Sequence, residues 1–341
     1  MNRSRFEAIT ERYRDLSIAV LGDFCLDRYL EIDPARREVS LETGLPVHNV
    51  VNVRAQPGGA GTILNNLSAL GVGAIFPIGF IGEDGEGLEL WSAMEKRPGV
   101  RLDYFIKTVQ RRTFTYCKPL VMAPGTPPVE LNRLDFKNWT ETPAVLQGVL
   151  LDQLRTAACF VNAIIVLEQV DIPETGVVTQ KVLGGLRQLV EKNLELLVVS
   201  DSRRGLRGYP PVVLKMNAAE LESLTGTKGP LGIPKINKVA MELARERGRR
   251  VFVTLAERGI VAAAPNGEVE HVPALPVRGA IDIVGAGDAV TANLTSVLAA
   301  GASLREALEI ANAAGSVVIH KLGTTGTASV AELAALAVSD S

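Results

Sequence analysis

Short apolar runs alternate with helical patterns along most of the chain, and this alternation limits the fold more than any other feature of the sequence. Runs of this length match buried strands, and the segments between them match helices with one apolar face. A parallel sheet covered by helices requires such an alternation. We therefore predict an α/β fold with strands at 17–22, 75–80, 163–167, 196–200 and 250–254, and helices at 63–70, 86–94, 146–158, 179–192 and 235–247.

The C-terminal part of the chain predicts two further helices in succession. Gly301 ends the first, because glycine commonly terminates helices. The second begins at Ser303, since Ser303 and Glu306 have the spacing of a capping box.

Two segments, 28–56 and 103–136, interrupt the alternation. Both are rich in β-branched and charged residues and show no helical period. Residues 47–53 alternate between apolar and polar side chains, which is typical of a strand with one exposed face. Inserted sheet of this kind often forms a lid over a site on the main fold. The alternative is a β-hairpin that only packs or dimerises.

The motif Gly285-Ala286-Gly287-Asp288 runs directly into a helical pattern. Glycines leave backbone N–H groups uncovered, and the first N–H groups of a helix have no intrahelical acceptor, so such a turn attracts anions. A carboxylate beside an anion site repels the anion unless it removes a proton. The motif therefore predicts phosphoryl transfer with Asp288 as the base, ionised near neutral pH at an ordinary pKa of about 3.9. The alternative is an ordinary helix cap.

Two more groups of residues lie where ligands often bind. Gly58 and Gly59 form a turn into a helix, and Asn66 follows inside that helix. Asp23 and Asp27 follow the first strand, and ligands of open parallel sheets bind at the carboxyl ends of strands. Carboxylates there would accept hydrogen bonds from sugar hydroxyls. The alternatives are a purely structural glycine turn and a solvated loop.

The segment Asn217-Ala218-Ala219-Glu220 follows an apolar run at 212–214. Asn217 can form hydrogen bonds, and Glu220 is suited to hold magnesium through water, because that ion keeps much of its hydration shell. The same two residues also have the spacing of a capping box, which is the alternative.

The composition argues against several classes of protein. A net charge of −2 over 341 residues leaves no basic face for nucleic acid. Residues 1–15 lack the apolar core of a signal peptide, and the longest uncharged stretch, 289–304, contains polar residues that a membrane span would not. The three cysteines are far apart and indicate a reducing compartment. We therefore expect a cytoplasmic protein without nucleic-acid or membrane partners.

Two nucleotide-binding motifs are absent from the sequence. GxxxxGK followed by Ser or Thr does not occur, which argues against a P-loop kinase. The dinucleotide pattern GxGxxG is incomplete at Gly285 and at Gly59, because Val290 and Leu64 occupy the third glycine position. A nicotinamide oxidoreductase is therefore disfavoured.

In this order along the chain, the motifs resemble those of the ribokinase-like (PfkB) family of sugar kinases, and within it the bacterial heptose 7-phosphate kinases. The resemblance implies one domain over residues 1–335, a three-layer α/β/α fold with a mainly parallel central sheet, and a small β-sheet lid. It also implies a kinase that uses ATP and Mg²⁺ to phosphorylate a sugar or sugar phosphate, and a homodimer formed through the lid. The matching segments are 22–29, 57–60, 79–84, 133–136, 217–220, 285–288 and 321–325.

The resemblance also implies a role for each matching residue. Asp288 is the expected catalytic base, and Gly285, Ala286 and Gly287 form the expected anion hole. The residues expected to bind the sugar are Asp23, Asp27, Gly58, Gly59 and Asn66. Those expected on the nucleotide side are Asn217, Glu220, Thr254, Glu257, Gly259 and Lys321, with Glu220 also holding Mg²⁺ through water.

The chain departs from the family pattern at three positions. Thr62 replaces an asparagine expected after the glycine pair, and Val284 replaces a threonine expected before the Gly-Ala-Gly-Asp motif. Heptose kinases have an arginine two residues after a lysine, whereas Lys118 is followed at that distance by Leu120. The lost arginine bears on a phosphorylated acceptor, because guanidinium groups bind phosphate in a bidentate manner. A kinase for another sugar or nucleoside, or a non-catalytic sugar- or nucleotide-binding protein of the same fold, is the alternative.

Overall fold

The structure, a computed structural model, describes residues 1–227, 229 and 232–338. These residues form a large sheet, a smaller sheet, a short hairpin and helices. The strands are β1 (Ser17–Gly22), β2 (Phe24–Ile32), β3 (Glu38–Val39), β4 (Pro46–Val47), β5 (Val50–Gly59), β6 (Ala74–Gly82), β7 (Phe105–Thr108), β8 (Phe114–Val121), β9 (Val129–Glu130), β10 (Leu134–Phe136), β11 (Ala163–Glu168), β12 (Leu197–Ser202), β13 (Val213–Asn217), β14 (Val251–Thr254), β15 (Ile260–Ala263) and β16 (Val269–Val272). The helices are α1 (Arg3–Thr10), α2 (Ala60–Ala69), α3 (Gly85–Glu95), α4 (Ala144–Ala157), α5 (Gln180–Lys192), α6 (Ala218–Thr225), α7 (Ile233–Arg247), α8 (Ala286–Ala299), α9 (Leu304–Ile319) and α10 (Val330–Ala337), and short 3₁₀ helices lie at Glu11–Asp15, Pro34–Arg36, Leu102–Tyr104 and Ala256–Arg258.

The large sheet has the strand order β16-β15-β14-β13-β12-β11-β1-β6-β7. All neighbours from β14 to β7 are parallel, whereas β15 and β16 run antiparallel at one edge. The predicted mainly parallel sheet is confirmed, and each of the five predicted strands overlaps a strand of this sheet. The antiparallel edge was not predicted.

Helices cover both faces of the large sheet. Alternate residues of a strand face opposite sides, so each parallel strand contributes to two hydrophobic cores. Ile18 and Val20 pack in the core that contains α2, α8 and α9, whereas Ala19 and Leu21 pack in the core that contains α4, α5 and α7. The predicted three-layer α/β/α arrangement is therefore confirmed. Within the described ranges, no helix is long and apolar enough to span a membrane.

The smaller sheet, which we refer to as the lid sheet, has the order β10-β8-β2-β5, with β9 paired to β8. It overlaps both segments that interrupt the alternation in the sequence, but the boundaries differ. The chain leaves β1 at Gly22 and enters β2 at Phe24, so it passes from one sheet to the other at Asp23. β7 pairs with β6, so the segment 103–136 begins inside the large sheet.

Capping boxes begin three of the described helices. The predicted pair, Ser303 and Glu306, forms such a box at α9. Asn217 and Glu220 form another at α6, and Ser329 begins α10 in the same way. Gly301 follows α8 with a φ of 80°, the left-handed conformation that ends helices.

Candidate active site

The carboxyl ends of five parallel strands, β1, β11, β12, β13 and β14, lie side by side at one edge of the large sheet. Asp23 follows β1, Asn217 ends β13, and Thr254 ends β14. The structure thus brings these three predicted residues to the same edge. This is the edge at which open α/β sheets bind their ligands.

The N-terminus of α8 forms a turn with uncovered backbone N–H groups. Gly285 is the N-cap residue with φ 83° and ψ −6°, a conformation that favours glycine, and a Cβ there would lie 3.3 Å from the Thr325 Cβ. The Ala286 N–H already donates to the Ile283 carbonyl at 3.2 Å. Of the residues predicted to form an anion hole, Ala286 thus has its N–H occupied, whereas the Gly287 N–H and the following Asp288 N–H have no intrahelical acceptor.

A buried ion pair lies against this turn. Lys215 Nζ donates to Asp201 Oδ2 at 2.7 Å, and Thr291 Oγ1 of α8 donates to the same oxygen at 3.0 Å. Lys215 Nζ lies 3.2 Å from where a Cβ on Gly287 would stand, so the missing side chain leaves room for the ammonium group. Burial lowers the pKa of Lys215, but the carboxylates of Asp201, Asp288 and Glu220 together outweigh burial, so the pKa is raised.

The Asp288 carboxyl group is a stronger base than an ordinary aspartate. Burial raises its pKa, the Asp201 carboxylate raises it further, and the Lys215 charge offsets part of the rise, giving about 7. The expectation of an ordinary aspartate pKa is therefore wrong. A base with a pKa near the working pH is suited to proton transfer. Gly285 is the N-cap residue of α8, and Asp288 stands three residues later, in the first turn of the helix.

Asp27 lies on the lid sheet with its carboxylate close to a glycine turn. It is buried, and its Oδ1 lies 3.8 Å from Lys118 Nζ. A Cβ on Gly58 would stand 2.7 Å from Asp27 Oδ2, and a Cβ on Gly59 would stand 2.5 Å from the Asp23 carbonyl oxygen. Both glycines therefore pack closely against the chain where it passes from β1 into β2. Burial raises the pKa of Asp27, and Lys118 opposes that rise.

Two residues predicted to contact sugar, Asp23 and Asn66, are fully buried and hold backbone loops. Asp23 Oδ2 accepts from the N–H groups of Gln169 and Val170 at 2.9 and 3.1 Å, and its Oδ1 accepts from Val177 at 2.7 Å. Asn66 accepts from the Ala328 N–H at 3.2 Å. The structure does not bring these side chains to an open surface. Their hydrogen bonds instead hold backbone segments beneath the candidate site in place.

Asn217 and Glu220 form the capping box that was the alternative reading of their spacing. Asn217 Oδ1 accepts from the Glu220 N–H at 2.9 Å, and Glu220 Oε2 accepts from the Asn217 N–H at 2.7 Å. Glu220 is half-buried and burial raises its pKa. Capping does not exclude ligand contact, because Glu220 Oε1 has no hydrogen-bond partner among the described residues.

The other predicted nucleotide-side residues lie on two loops. Thr254 donates weakly to the Met216 carbonyl at 3.4 Å, and Glu257 is exposed. Gly259 has a φ of 90°, and a Cβ there would stand 1.9 Å from the Val272 carbonyl oxygen, so its glycine is required by the β15–β16 hairpin. Lys321 is bound by the Thr327 carbonyl at 2.6 Å and by a carboxylate of α10.

Residues 192–331 match the family model for pfkB family carbohydrate kinase. This range contains Asp201, Lys215 and Asp288, which surround the turn at the start of α8.

Two curated relatives, both named Bifunctional protein HldE, show how far the sequence similarity extends. The protein from Azorhizobium caulinodans is 30% identical over 308 residues, which is 90% of this chain and 61% of that protein. The protein from Caulobacter vibrioides is 29% identical over 325 residues, which is 95% of this chain and 64% of that protein. The chain therefore spans less than two thirds of the length of these relatives.

Two solved structures are similar to the chain in fold. Ribokinase from Arabidopsis thaliana, complexed with ribose and ATP, has a TM-score of 0.66 at 20% identity, covering 94% of this chain and 98% of that one. Phosphofructokinase-2 from Escherichia coli, in complex with fructose-6-phosphate, has a TM-score of 0.67 with the same identity and coverage. The family model thus matches the C-terminal part of the chain, and the two solved structures show that the chain has a ribokinase-like fold.

Proposed function

We propose that the protein is an ATP-dependent sugar kinase in which Asp288 removes the proton of the acceptor hydroxyl. The position of Asp288 carries this proposal. Its carboxyl group stands in the first turn of α8, beside two uncovered N–H groups and next to the buried Lys215–Asp201 pair. Its pKa of about 7 suits a base that works near neutral pH.

In the proposed reaction, the acceptor oxygen attacks the γ-phosphorus of ATP and the bond from that phosphorus to the leaving oxygen of ADP breaks. The hydroxyl proton passes to an Asp288 carboxylate oxygen. Negative charge on the transferred group would face the Gly287 and Asp288 N–H groups, which are already oriented and need no rearrangement. Lys215 adds a positive charge beside the same turn.

The nucleotide is proposed to lie along the carboxyl edge near Asn217, Thr254 and Glu257. Glu220 Oε1 has no hydrogen-bond partner in the described part of the chain, which fits a contact to a hydrated Mg²⁺. When bound, Mg²⁺ would neutralise charge on the phosphates. No group of three or more His, Cys, Asp or Glu side chains among the described residues is placed to hold a metal ion, which fits an ion held mainly by phosphate and water.

The acceptor is proposed to bind between α8 and the lid sheet, against Asp27 and the backbone at Gly58 and Gly59. Asp27 would accept hydrogen bonds from sugar hydroxyls, and the two glycines let the backbone approach the ring. We favour a heptose 7-phosphate-like acceptor, because the sequence motifs resemble those of heptose kinases. Asp23 and Asn66 are assigned to positioning, since both are buried behind this surface.

The test is the Asp288→Asn variant, assayed with ATP against heptose 7-phosphate, fructose, ribose and nucleosides. The substitution keeps the size of the side chain and removes its basicity. We expect kcat to fall by about 10²–10⁴-fold, the typical contribution of a positioned base. Binding of MgADP, measured by calorimetry, should stay near that of the wild type. Asp152→Asn, an exposed carboxylate on α4, serves as the matched control and should retain wild-type turnover.

Two results would contradict the proposal. Turnover of Asp288→Asn within a few-fold of the wild type would remove Asp288 from the reaction. Absence of turnover by the wild type on every acceptor, together with binding of sugar or nucleotide, would favour a non-catalytic binding protein. NMR of the product would show which hydroxyl receives the phosphate.

A further inference from the structure

The Gln56 side chain of β5 joins the lid sheet to the segment between α9 and α10. Its Nε2 donates to Thr325 Oγ1, and its Oε1 accepts from Thr324 Oγ1 at 3.1 Å. A glutamine amide carries an NH₂ donor and a carbonyl acceptor, and two successive threonines here occupy both. The proposed function assigns no role to these three side chains, which we refer to as the glutamine–threonine link.

Thr325, at one end of the link, packs against the turn that begins α8. It is buried, and a Cβ built on Gly285 would stand 3.3 to 3.5 Å from three atoms of Thr325. The same segment holds the residues before this turn, because the Asp282 N–H donates to the Ile319 carbonyl at 2.8 Å and Asp282 Oδ2 accepts from the Gly323 N–H at 3.3 Å. A displacement of Thr325 would therefore change the position of the turn where the phosphoryl group is proposed to bind.

Gln56, at the other end, lies beside Asp27, the proposed ligand of the acceptor. The register of β2 with β5 places these two residues directly opposite each other. Opposite residues of an antiparallel pair have their side chains on the same face, with Cβ atoms about 4.5–5.5 Å apart. Gln56 also stands two residues before Gly58 in the same strand. It therefore connects the acceptor side of the cleft, through Thr324 and Thr325, with the phosphoryl side.

The groups that form this link are all neutral. Gln56 Nε2 also approaches the Tyr29 hydroxyl, but at 3.4 Å, which is longer than both bonds to the threonines. Removal of a threonine hydroxyl would therefore loosen the connection between the two sides of the cleft without changing the charge near Asp288. This property separates a role in positioning from a role in setting the pKa of the proposed base.

We propose that the glutamine–threonine link sets the distance between the acceptor hydroxyl at Asp27 and the phosphoryl group at the start of α8. Its residues position the reactants and contact neither reacting atom. The inference rests on the proposed function, because it concerns the same transfer. Reacting atoms must approach to about 3–3.5 Å, and a misplacement of about 1 Å can cost about 10²-fold in rate. Each substrate binds on its own side of the link, so loss of the link should lower kcat and leave both affinities nearly unchanged.

The test compares Thr325→Val, which removes the hydroxyl and keeps the shape of the side chain, with Thr325→Ser, which keeps the hydroxyl. Steady-state kinetics use ATP and the acceptor that the wild type phosphorylates best. We expect Thr325→Val to lower kcat about 10–100-fold with both KM values within about threefold of the wild type, and Thr325→Ser to retain kcat within about threefold. Thr156→Val, at an exposed threonine of α4 whose hydroxyl bonds to its own helix, is the matched control and should retain wild-type turnover.

Two further measurements separate positioning from folding. Thr325→Val should bind MgADP and the acceptor by calorimetry within about threefold of the wild type, and the acid limb of its kcat/KM profile should keep the wild-type pH. Gln56 is half-buried on an edge strand, so Gln56→Leu should keep the fold and lower kcat by a similar factor. The double variant of Gln56→Leu with Thr325→Val should lose little more than Gln56→Leu alone, because both substitutions remove the same link.

A loss of kcat in Thr325→Val with both KM values and the acid limb unchanged supports the proposal. Wild-type kcat in Thr325→Val and Gln56→Leu overturns it, as does a higher KM for the acceptor without loss of kcat, which would make the link a binding contact. Equal losses in Thr325→Ser and Thr325→Val, losses that add in the double variant, or a shifted acid limb also overturn it. In all these cases the wild type transfers phosphate and the kinase proposal stands. A wild type without turnover on any acceptor would contradict both proposals.

Discussion

Asp288 is a suitable base at neutral pH because of the residues around it. Burial and the Asp201 carboxylate raise its pKa to about 7, and the Lys215 ammonium group offsets part of the rise. Asp201 is itself held by Lys215 at 2.7 Å and by Thr291 at 3.0 Å. The proton affinity of the proposed base is therefore set by burial together with two residues, Asp201 and Lys215, that are assigned no contact with the acceptor.

Asp201→Asn should move the acid limb of the kcat/KM profile to lower pH. Under the proposed function, the wild type requires unprotonated Asp288, so we expect its activity to be lost as pH falls through the Asp288 pKa of about 7. Removal of the Asp201 charge takes away a carboxylate that raises this pKa and leaves the Lys215 charge uncompensated, so both effects lower it. The measurement is kcat/KM from pH 5 to 9 in both proteins. An acid limb at the same pH in the two proteins would show that Asp201 does not tune the base.

The sequence predicts the position of Asp288 but not its surroundings. The Gly-Ala-Gly-Asp motif is local, so the turn and the carboxylate can be recognised within four residues. The Lys215–Asp201 pair joins β13 to β12, and its members become neighbours only through the parallel register of those strands. The sequence gives only a weak indication of this ion pair. Lys215 interrupts an otherwise apolar strand, and Asp201 stands near the end of another strand.

At the level of elements, Asp23, which lies between β1 and β2, holds the loop that follows β11 in place. Asp23 accepts three backbone N–H bonds from residues 169–177 while the chain changes from the large sheet to the lid sheet. Gly59, with a φ of 56°, starts α2 against the Asp23 carbonyl. A single buried carboxylate therefore joins β1, the lid sheet and the loop after β11.

Asp23→Asn should destabilise the protein by about 1–3 kcal/mol, the cost of leaving a buried donor without its acceptor. The amide offers one acceptor oxygen where the carboxylate offers two, so at least one of the three N–H bonds is lost. Urea unfolding at pH 7 measures the change. Asp171→Asn, an exposed site in the same loop that pairs with Lys137 at 3.0 Å, is the control and should cost at most about 1 kcal/mol. Equal losses in the two variants would contradict the assignment of Asp23 as the loop anchor.

Helices and strands with a clear hydrophobic period were predicted from the sequence. Strands that are defined mainly by hydrogen bonding to a neighbouring strand were not. The apolar runs and amphipathic helices of the three layers have enough internal pattern to be recognised alone. β15 and β16 have four residues each, too few to show a period. Residues 103–136 show no helical period, but only the pairing of β7 with β6 assigns their first part to the large sheet.

At the level of the whole molecule, β5 of the lid sheet is bonded to the segment before α10 and also has exposed apolar residues. The Gln56 side chain bonds to Thr324 and Thr325, beside the turn that begins α8. β5 is the edge strand, and its Val51 and Val53 are 53% and 44% exposed on one face. An edge strand with exposed valines is a surface on which another strand can pair.

We expect the protein to form a homodimer through this edge, as the family resemblance implies, and the double variant Val51→Lys with Val53→Lys to be a monomer. Two ammonium groups from each copy would repel each other across an apolar edge-to-edge contact. Light scattering coupled to size-exclusion chromatography measures the mass of each protein at the same concentration. Leu194→Lys changes an apolar residue that is 64% exposed and precedes β12 in the large sheet, and it should leave the mass unchanged. A wild type that elutes as a monomer, or a double variant that remains dimeric, would remove the lid sheet as the interface.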